Sequence, residues 1–342
     1  MKKIVGIASL GVVSLAIILF FCTAIYLGTP PQVEGRKKTI TIRRGMTFRE
    51  VVHLLGDEGI IKGSRWFILW GRLSGAFPKI KAGEYELSSD MTPLQVLDTL
   101  TKGKVKQYMA SIPEGYTVSQ IAEILESKGI TNGEAFLEKC FSPQYISSLE
   151  IKADSLEGYL FPDSYLFSKD LGPENVIEAM VRRFRRIYTP QYSERAKELG
   201  FSDHEILTLA SMIEKESGIP SERLLVSSVY HNRLKRKMRL YSCPTVIYGI
   251  ENFDGNLTKR DLERYTPYNT YLIRGLPPGP ICNPSKEAIA AALYPATTEY
   301  LYFVSKNDGS NHFSSTLKEH NIAVWKYQKG RPYPLKRGIP VK

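Results

Sequence analysis

Residues 4–28 form an unbroken run without a charged side chain, directly after Met1-Lys2-Lys3. About 20 apolar residues are enough to cross a bilayer, whereas a core helix of a soluble protein usually keeps a polar face. A cleavable signal peptide has a shorter apolar region and a small-x-small cleavage site, which Cys22-Thr23-Ala24 resembles only weakly. We therefore predict an uncleaved transmembrane helix at 4–28.

The charges that flank this run predict its orientation. The short tail 1–3 carries two lysines and is expected to stay in the cytoplasm, which places the bulk of the chain outside the cytoplasmic membrane. The net charge of +11 then fits a solvated basic surface or attraction to an anionic partner such as lipid headgroups or wall polymer. Nucleic acid is a poor candidate for a protein with this orientation.

The four cysteines show no CxxC pair, so they do not predict a metal site. A disulfide between Cys243 and Cys282 remains an open alternative. We also find no GxxxxGK[ST], HExxH or GxGxxG motif, so we expect no metal and no cofactor.

Residues 39–105 follow a Pro- and Gly-containing linker at 29–38 and predict a small α+β module. Their pattern is strand, helix, helix, strand, helix, and this βααβ core resembles LysM glycan-binding modules; a spacer domain is the alternative. Helix starts here and just beyond share one signal, a threonine followed three residues later by Glu or Gln, which is a capping box. The three boxes are Thr47–Glu50, Thr92–Gln95 and Thr117–Gln120.

Residues 106–342 predict one mixed α/β domain, with a strand at its start, helices to about Lys237 and a hairpin around Asp308-Gly309. Within it, LASMIEKESG ends an apolar helix that a capping box at Ser202 opens and Gly218 closes. At about 100° per residue, Glu214 and Glu216 fall at opposite margins of the apolar arc. Burial and the negative helix end both raise a carboxyl pKa, which suits a general acid. The alternative is that one or both glutamates pair with arginines from the following helix.

Blocks of sequence from Glu157 to Asn321 resemble the endolytic murein transglycosylases (YceG-like family). They are LEGYLFPDSY, ASMIEKESG, VYHNRLKRKMRL, PTVIYG, YNTYLIRGLPPGPICNP and YLYFVSKNDGSNHFSSTLKEHN. The anchor and the LysM-like module also have the order of that family. The resemblance implies a membrane-anchored lyase that cuts peptidoglycan glycan strands internally, ends their elongation and works beside peptidoglycan synthases. Its catalytic glutamate would be Glu216, the one followed by Ser217.

The resemblance also implies a set of substrate-binding residues, each with a structural alternative. Asn232 could bind sugar amides or hydroxyls, or could be a capping or packing amide. Glu157 could be a second acid or orient Glu216, or could pair with an arginine. Tyr268, Asn269 and Tyr271 suit sugar rings, or could be the core of an irregular loop.

One departure from the family pattern lies ahead of PTVIYG, where the family usually has Gln-x-Asp and this chain has Tyr241-Ser242-Cys243. Two rival functions therefore stay open. The first is a non-catalytic wall-binding scaffold, with Cys243 a sign of lost chemistry. The second is a lysozyme-type hydrolase that uses water and a second carboxylate, for which Glu157 is the candidate.

Overall fold

The computed structural model describes residue 14 and residues 17–330. Most of the predicted transmembrane segment at 4–28 therefore lies outside the described residues. Residues 17–28 are helical and form the described part of α1. None of the helices in the described part of the chain combines the length and the apolarity needed to span a bilayer.

The chain divides into two compact units. The first runs to Met109 and includes Leu166–Asp170, and the second comprises Ala110–Tyr165 and the chain from Leu171 onward. Sheets are small throughout the described residues: β1 pairs with β2, β3 with β4 and β5 with β6. The predicted mixture of helices and short strands is confirmed.

The first unit has the predicted order of strand, helix, helix, strand and helix. Its elements after α1 are β1 (Lys37–Ile42), α2 (Phe48–Asp57), α3 (Ser64–Leu73), β2 (Gly83–Ser88) and α4 (Pro93–Lys102). The antiparallel β1–β2 pair sets Ile40 opposite Tyr85, and both side chains enter a core with the apolar faces of the helices. The capping boxes at Thr47 and Thr92 are confirmed. In each box the threonine hydroxyl accepts a hydrogen bond from the amide of the residue three positions later, and the threonine amide donates to the side chain of that residue.

The second unit is mainly helical. Its elements are β3 (Tyr108–Ser111), whose start lies at the boundary, α5 (Val118–Ser127), α6 (Gly133–Cys140), α7 (Pro143–Ser148), β4 (Ser164–Phe167), whose end lies at the boundary, α8 (Pro173–Ile187), α9 (Pro190–Glu198), α10 (Asp203–Glu216), α11 (Arg223–Lys235), α12 (Cys243–Tyr248), α13 (Lys259–Glu263), α14 (Lys286–Leu293), β5 (Tyr302–Ser305), β6 (Asn311–Ser314) and α15 (Leu317–Tyr327). The capping box at Thr117 and the β5–β6 hairpin are confirmed.

Helix α10 is the centre of the second unit. Its residues from Ile206 to Ile213 are all buried, including the polar Thr208. Thr208 can be buried because its hydroxyl donates to the carbonyl of His204, 2.8 Å away. Helices α11 and α14 pack against α10. Surrounded in this way, α10 holds its last residue, Glu216, at a fixed place.

Candidate active site

Glu216 lies where α10 ends, at the edge of a cavity of about 890 Å³. The helix starts at the predicted capping box of Ser202 with Glu205 and stops at Ser217, whose backbone is extended. The end of α10, helix α11, the segment before α12, the β5–β6 hairpin and α15 together line the cavity. Of the described residues that line it, Glu216 is the only acidic one.

The Glu216 carboxyl is half-buried and has a defined donor. The Ser242 hydroxyl donates to its Oε1 atom at 2.8 Å. Burial raises the pKa of Glu216, while Ser242, the Tyr230 hydroxyl, the Arg233 charge and the Cys243 amide act in the opposite direction. Burial is the largest of these effects, so the carboxyl retains its proton at a higher pH than an exposed glutamate. That state is the one a general acid needs.

Glu214 has a different environment, although it is only two residues away. Its side chain is 8% exposed and pairs with Arg223 of α11 at 3.1 Å. Its other oxygen accepts the amide of Ser285 at 2.9 Å and the Ser285 hydroxyl. The carboxylate therefore joins α10, α11 and the start of α14. The alternative of pairing with an arginine is right for Glu214, which leaves Glu216 as the acid of the cavity.

The segment before α12 places the Ser242 hydroxyl. Tyr241 has a left-handed backbone, with φ of 50°, and its amide donates to the Thr270 carbonyl. The Ser242 amide donates to the Thr270 hydroxyl at 2.9 Å, and that hydroxyl also contacts the hydroxyl of Thr245 at 2.8 Å. These bonds hold Tyr241 in a left-handed backbone conformation that is uncommon for residues other than glycine. Ser242 is thereby held against Glu216.

Arg233 forms a cationic wall of the cavity. Its guanidinium donates to the carbonyls of Leu301 at 2.6 Å and Leu240 at 2.5 Å. It also lies over the rings of Tyr241 and Tyr302, at 5.7 Å and 5.4 Å from their centroids. The two aromatic faces and the fixed charge suit a ligand with sugar rings and polar substituents.

Tyr271 and Cys243 line the same cavity. The Cys243 sulfur lies 3.1 Å from the Tyr271 hydroxyl. Burial raises the pKa of the thiol, and the neighbouring Glu216 raises it further. The alternative of a disulfide between Cys243 and Cys282 is wrong, because all four cysteines are free. Cys243, the residue that departs from the family pattern, therefore lies beside Glu216.

Asn232, Asn269 and Tyr268 do not line this cavity. The Asn232 amide donates to the carbonyls of Thr298 and Tyr300, at 2.8 Å and 3.0 Å. Asn269 is fully buried and donates to the carbonyls of Asp261, Leu262 and Arg264. The Tyr268 ring packs on Tyr248, with centroids 4.8 Å apart. The structure gives these three residues packing roles, because their polar atoms or rings are engaged by the protein itself.

Glu157 is also apart from the cavity. It is buried and accepts hydrogen bonds from the Val118 amide at 3.1 Å, the Asn283 amide at 3.0 Å and the Tyr248 hydroxyl at 3.2 Å. Burial raises its pKa to about 8, against the effect of these donors. Among the described residues, its hydrogen bonds join it neither to an arginine nor to Glu216. It does not line the cavity, and its contacts connect α5, α12 and the Asn283 loop.

Sequence reasoning did not identify Ser242, Arg233 or His320 as site residues. Ser242 stands in the segment flagged for its departure from the family, which was the one available signal. His320 also lines the cavity and stacks on Tyr302, with ring centroids 5.2 Å apart. Across the described residues, no three His, Cys, Asp or Glu side chains converge as a metal site.

Comparison with known proteins agrees with the resemblance. The model of the YceG-like family matches residues 40–326. The chain is 33% identical to an endolytic murein transglycosylase of Bacillus subtilis over 86% of this chain and 87% of the relative. A protein of the same name from Streptococcus pneumoniae is 30% identical, over 84% of this chain and 57% of the relative. A crystal structure of a YceG-like protein from Listeria monocytogenes matches 84% of this chain and 99% of its own, with 33% identity and a TM-score of 0.58. The chain belongs to the YceG-like family.

Proposed function

We propose that this protein is an endolytic peptidoglycan lytic transglycosylase with Glu216 as its catalytic acid and base. It would cleave glycan strands between N-acetylmuramic acid and N-acetylglucosamine. Two relatives that carry the name endolytic murein transglycosylase support the substrate class.

The observation that carries the proposal is a single acid in the cavity. Glu216 is the only acidic side chain among the described lining residues, and Glu214 is bound to Arg223. Inverting and retaining glycosidases use two carboxyl groups, about 5–9.5 Å apart, on either side of the scissile bond. A lytic transglycosylase can work with one, because a hydroxyl of the substrate replaces the second carboxylate.

The reaction balances with this one group. Protonated Glu216 gives its proton to the glycosidic oxygen, and the bond from that oxygen to the anomeric carbon breaks. The resulting carboxylate takes the proton from the 6-hydroxyl of muramic acid, whose oxygen bonds to the anomeric carbon. Water is not consumed, a 1,6-anhydro end forms, and Glu216 is protonated again. The raised pKa of Glu216 serves the first step.

The position of Glu157 bears on the hydrolase alternative. Its carboxyl is buried among donors from Val118, Asn283 and Tyr248 and does not line the cavity. This placement favours a lyase over a lysozyme-type hydrolase. The scaffold alternative rests on Cys243, and the intact contact between Ser242 and Glu216 beside it supports an active enzyme.

We further propose that α1 belongs to a single-pass anchor at 4–28, with the bulk of the chain outside the cytoplasmic membrane. In its described part, large apolar side chains are exposed, including those of Ile18, Phe20 and Phe21. Such side chains suit a lipid environment better than water. An anchored enzyme would act on strands near the place of synthesis, where cleavage would end their elongation and peptidoglycan synthases would be its neighbours.

The first unit is proposed to bind glycan in a LysM-like manner. A cavity of about 380 Å³ opens between the β1–α2 segment and the segment before β2. Arg43, Arg44 and the 40% exposed ring of Phe77 contribute to it. Replacing Phe77 with Ala is expected to weaken sedimentation of the protein with insoluble peptidoglycan, while equal sedimentation would favour a spacer.

Mass spectrometry of purified glycan strands digested by the full chain tests the proposed reaction. Internal fragments with 1,6-anhydromuramic ends are expected from the wild type and not from Glu216→Gln. Hydrated reducing ends would indicate a hydrolase. No cleavage by the folded wild type would favour a scaffold, and Cys243→Asp would then show whether the thiol is the cause.

A further inference from the structure

Tyr230 has a hydroxyl group that packing does not explain. The residue is fully buried on α11, and its hydroxyl has no hydrogen-bond partner among the described residues. Its ring packs edge-on against Phe303, with centroids 6.2 Å apart. An unpartnered buried hydroxyl is destabilising relative to the same ring without it. Phenylalanine would therefore serve packing better at this position.

The hydroxyl adjoins the catalytic carboxyl. As a donor it lowers the pKa of Glu216, and the charge of Glu216 raises the pKa of Tyr230, so the two groups are close neighbours. Their geometry in this structure nevertheless falls short of a hydrogen bond. Ser242 already donates to Oε1 of the same carboxyl at 2.8 Å. Glu216 thus has one donor hydroxyl in place and a second, unpartnered hydroxyl beside it.

We propose that Tyr230 is a positioning residue that donates a hydrogen bond to Glu216 while that carboxyl is ionised. The inference rests on the function proposed above, in which Glu216 is a carboxylate between its two proton transfers. Burial makes that carboxylate costly, and two hydroxyl donors stabilise it and fix which oxygen faces the sugar. Tyr230 keeps its own proton, because burial raises its pKa and phenolate formation is unfavourable.

Apart from the Cys243 amide, which also lowers the pKa of Glu216, the remaining groups near Glu216 leave this role to the two hydroxyls. Arg233 lies close enough to act through its charge, but its guanidinium donates to the carbonyls of Leu301 and Leu240. Cys243 and Tyr271 contact each other, and the pKa of each is raised, so both stay neutral. Tyr302 and His320 line the cavity from β5 and α15 and stack on each other.

Tyr230→Phe in the full chain tests the proposal. We expect kcat on glycan strands to fall by roughly tenfold or more, since hydrogen bonds to charged groups are strong, with KM unchanged. The alkaline limb of the pH profile should move to higher pH, because Glu216 loses a donor that lowers its pKa. The melting temperature should not fall. Tyr26→Phe is the matched control, since the Tyr26 hydroxyl in the first unit is also buried and has no partner within the described part of the chain, and it should change none of the kinetic quantities.

Each alternative outcome has a separate meaning. Unchanged kcat and pH profile in Tyr230→Phe would refute the role of Tyr230 and leave the lytic function standing. A lower kcat with a lower melting temperature and an unmoved pH profile would also refute it, in favour of packing. If the wild type produces no anhydro ends, the proposed function fails, and a ¹³C NMR titration of the Glu216 carboxyl still decides about Tyr230. A higher pKa in Tyr230→Phe supports the contact, and an identical pKa contradicts it.

Discussion

Two neighbouring glutamates at the end of α10 should respond in opposite ways to the same substitution. Glu214 and Arg223 form a pair at 3.1 Å with side chains only 8% and 12% exposed. Removing one partner of a buried pair costs about 3–5 kcal/mol, because the other charge stays buried without compensation. Glu114 also approaches Arg223, at 3.8 Å, but it is 52% exposed and compensates only in part. We therefore expect Glu214→Gln to destabilise the protein by about 3 kcal/mol.

For a unit of this size, 1 kcal/mol corresponds to about 2–4 °C in melting temperature. Glu214→Gln should accordingly lower the calorimetric transition of the second unit by about 6–12 °C, while the folded protein still cleaves glycan strands. Glu216→Gln should leave that transition unchanged or raise it, because burial already disfavours the ionised carboxylate, and should abolish cleavage. The matched pair separates a structural carboxylate from a catalytic one.

An unaltered melting transition in Glu214→Gln would show that the ion pair of Glu214 adds no stability, contrary to this prediction. The prediction would equally be refuted if Glu216→Gln lost as much stability as Glu214→Gln, or if it retained cleavage. Measurements at the same pH and salt are needed for both variants, because ion-pair strength depends on both.

Three further experiments concern Glu157 and Cys243. The folded protein raises the pKa of Glu157 from 4.5 to about 8, so the contribution of this carboxyl to stability is complete below about pH 4.5 and is lost as the pH rises through about 8. In urea unfolding, Glu157→Gln should therefore lose less stability than the wild type across that pH window. An unaltered pH dependence of stability would contradict the assignment. Cys243→Asp puts a second carboxylate near Glu216, which should raise the pKa of Glu216 and move the alkaline limb of the cleavage profile to higher pH; no movement would mean that the side chain at 243 does not act on the acid. Iodoacetamide should block cleavage slowly at neutral pH and faster as the pH rises, because the pKa of the Cys243 thiol is raised. Cys243→Ala should resist this inactivation. Equal inactivation of that variant would implicate another group such as exposed Cys22.

The positions of Glu214 and Glu216 could be predicted from the sequence because a single helix carries the information. The apolar arc of α10 and its capping box located Glu214 and Glu216 near the end of a buried helix. Helical periodicity could not show which of the two glutamates is the acid, because both lie at margins of the apolar arc. The resemblance selected Glu216, and the placement of that side chain in the cavity supports the choice.

The sequence alone could not separate substrate contacts from packing contacts, because amides and tyrosines serve both uses. Asn232 and Asn269 satisfy backbone carbonyls in irregular segments, where no regular ladder of hydrogen bonds exists. Glu157 serves a similar purpose at the start of α5. A sequence motif identifies such residues as important without showing whether they face the ligand or the chain.

The sequence by itself determined where helices begin, since each capping box joins a side chain and an amide three residues apart. It also determined the α+β order of the first unit and the hairpin of the second, both of which follow from local turn and periodicity signals. Only the tertiary structure decided the chemistry of the two glutamates. Ser242 reaches Glu216 across 26 residues of sequence, and Ser285 reaches Glu214 across 71. Contacts of that separation depend on how helices pack, which no local pattern specifies.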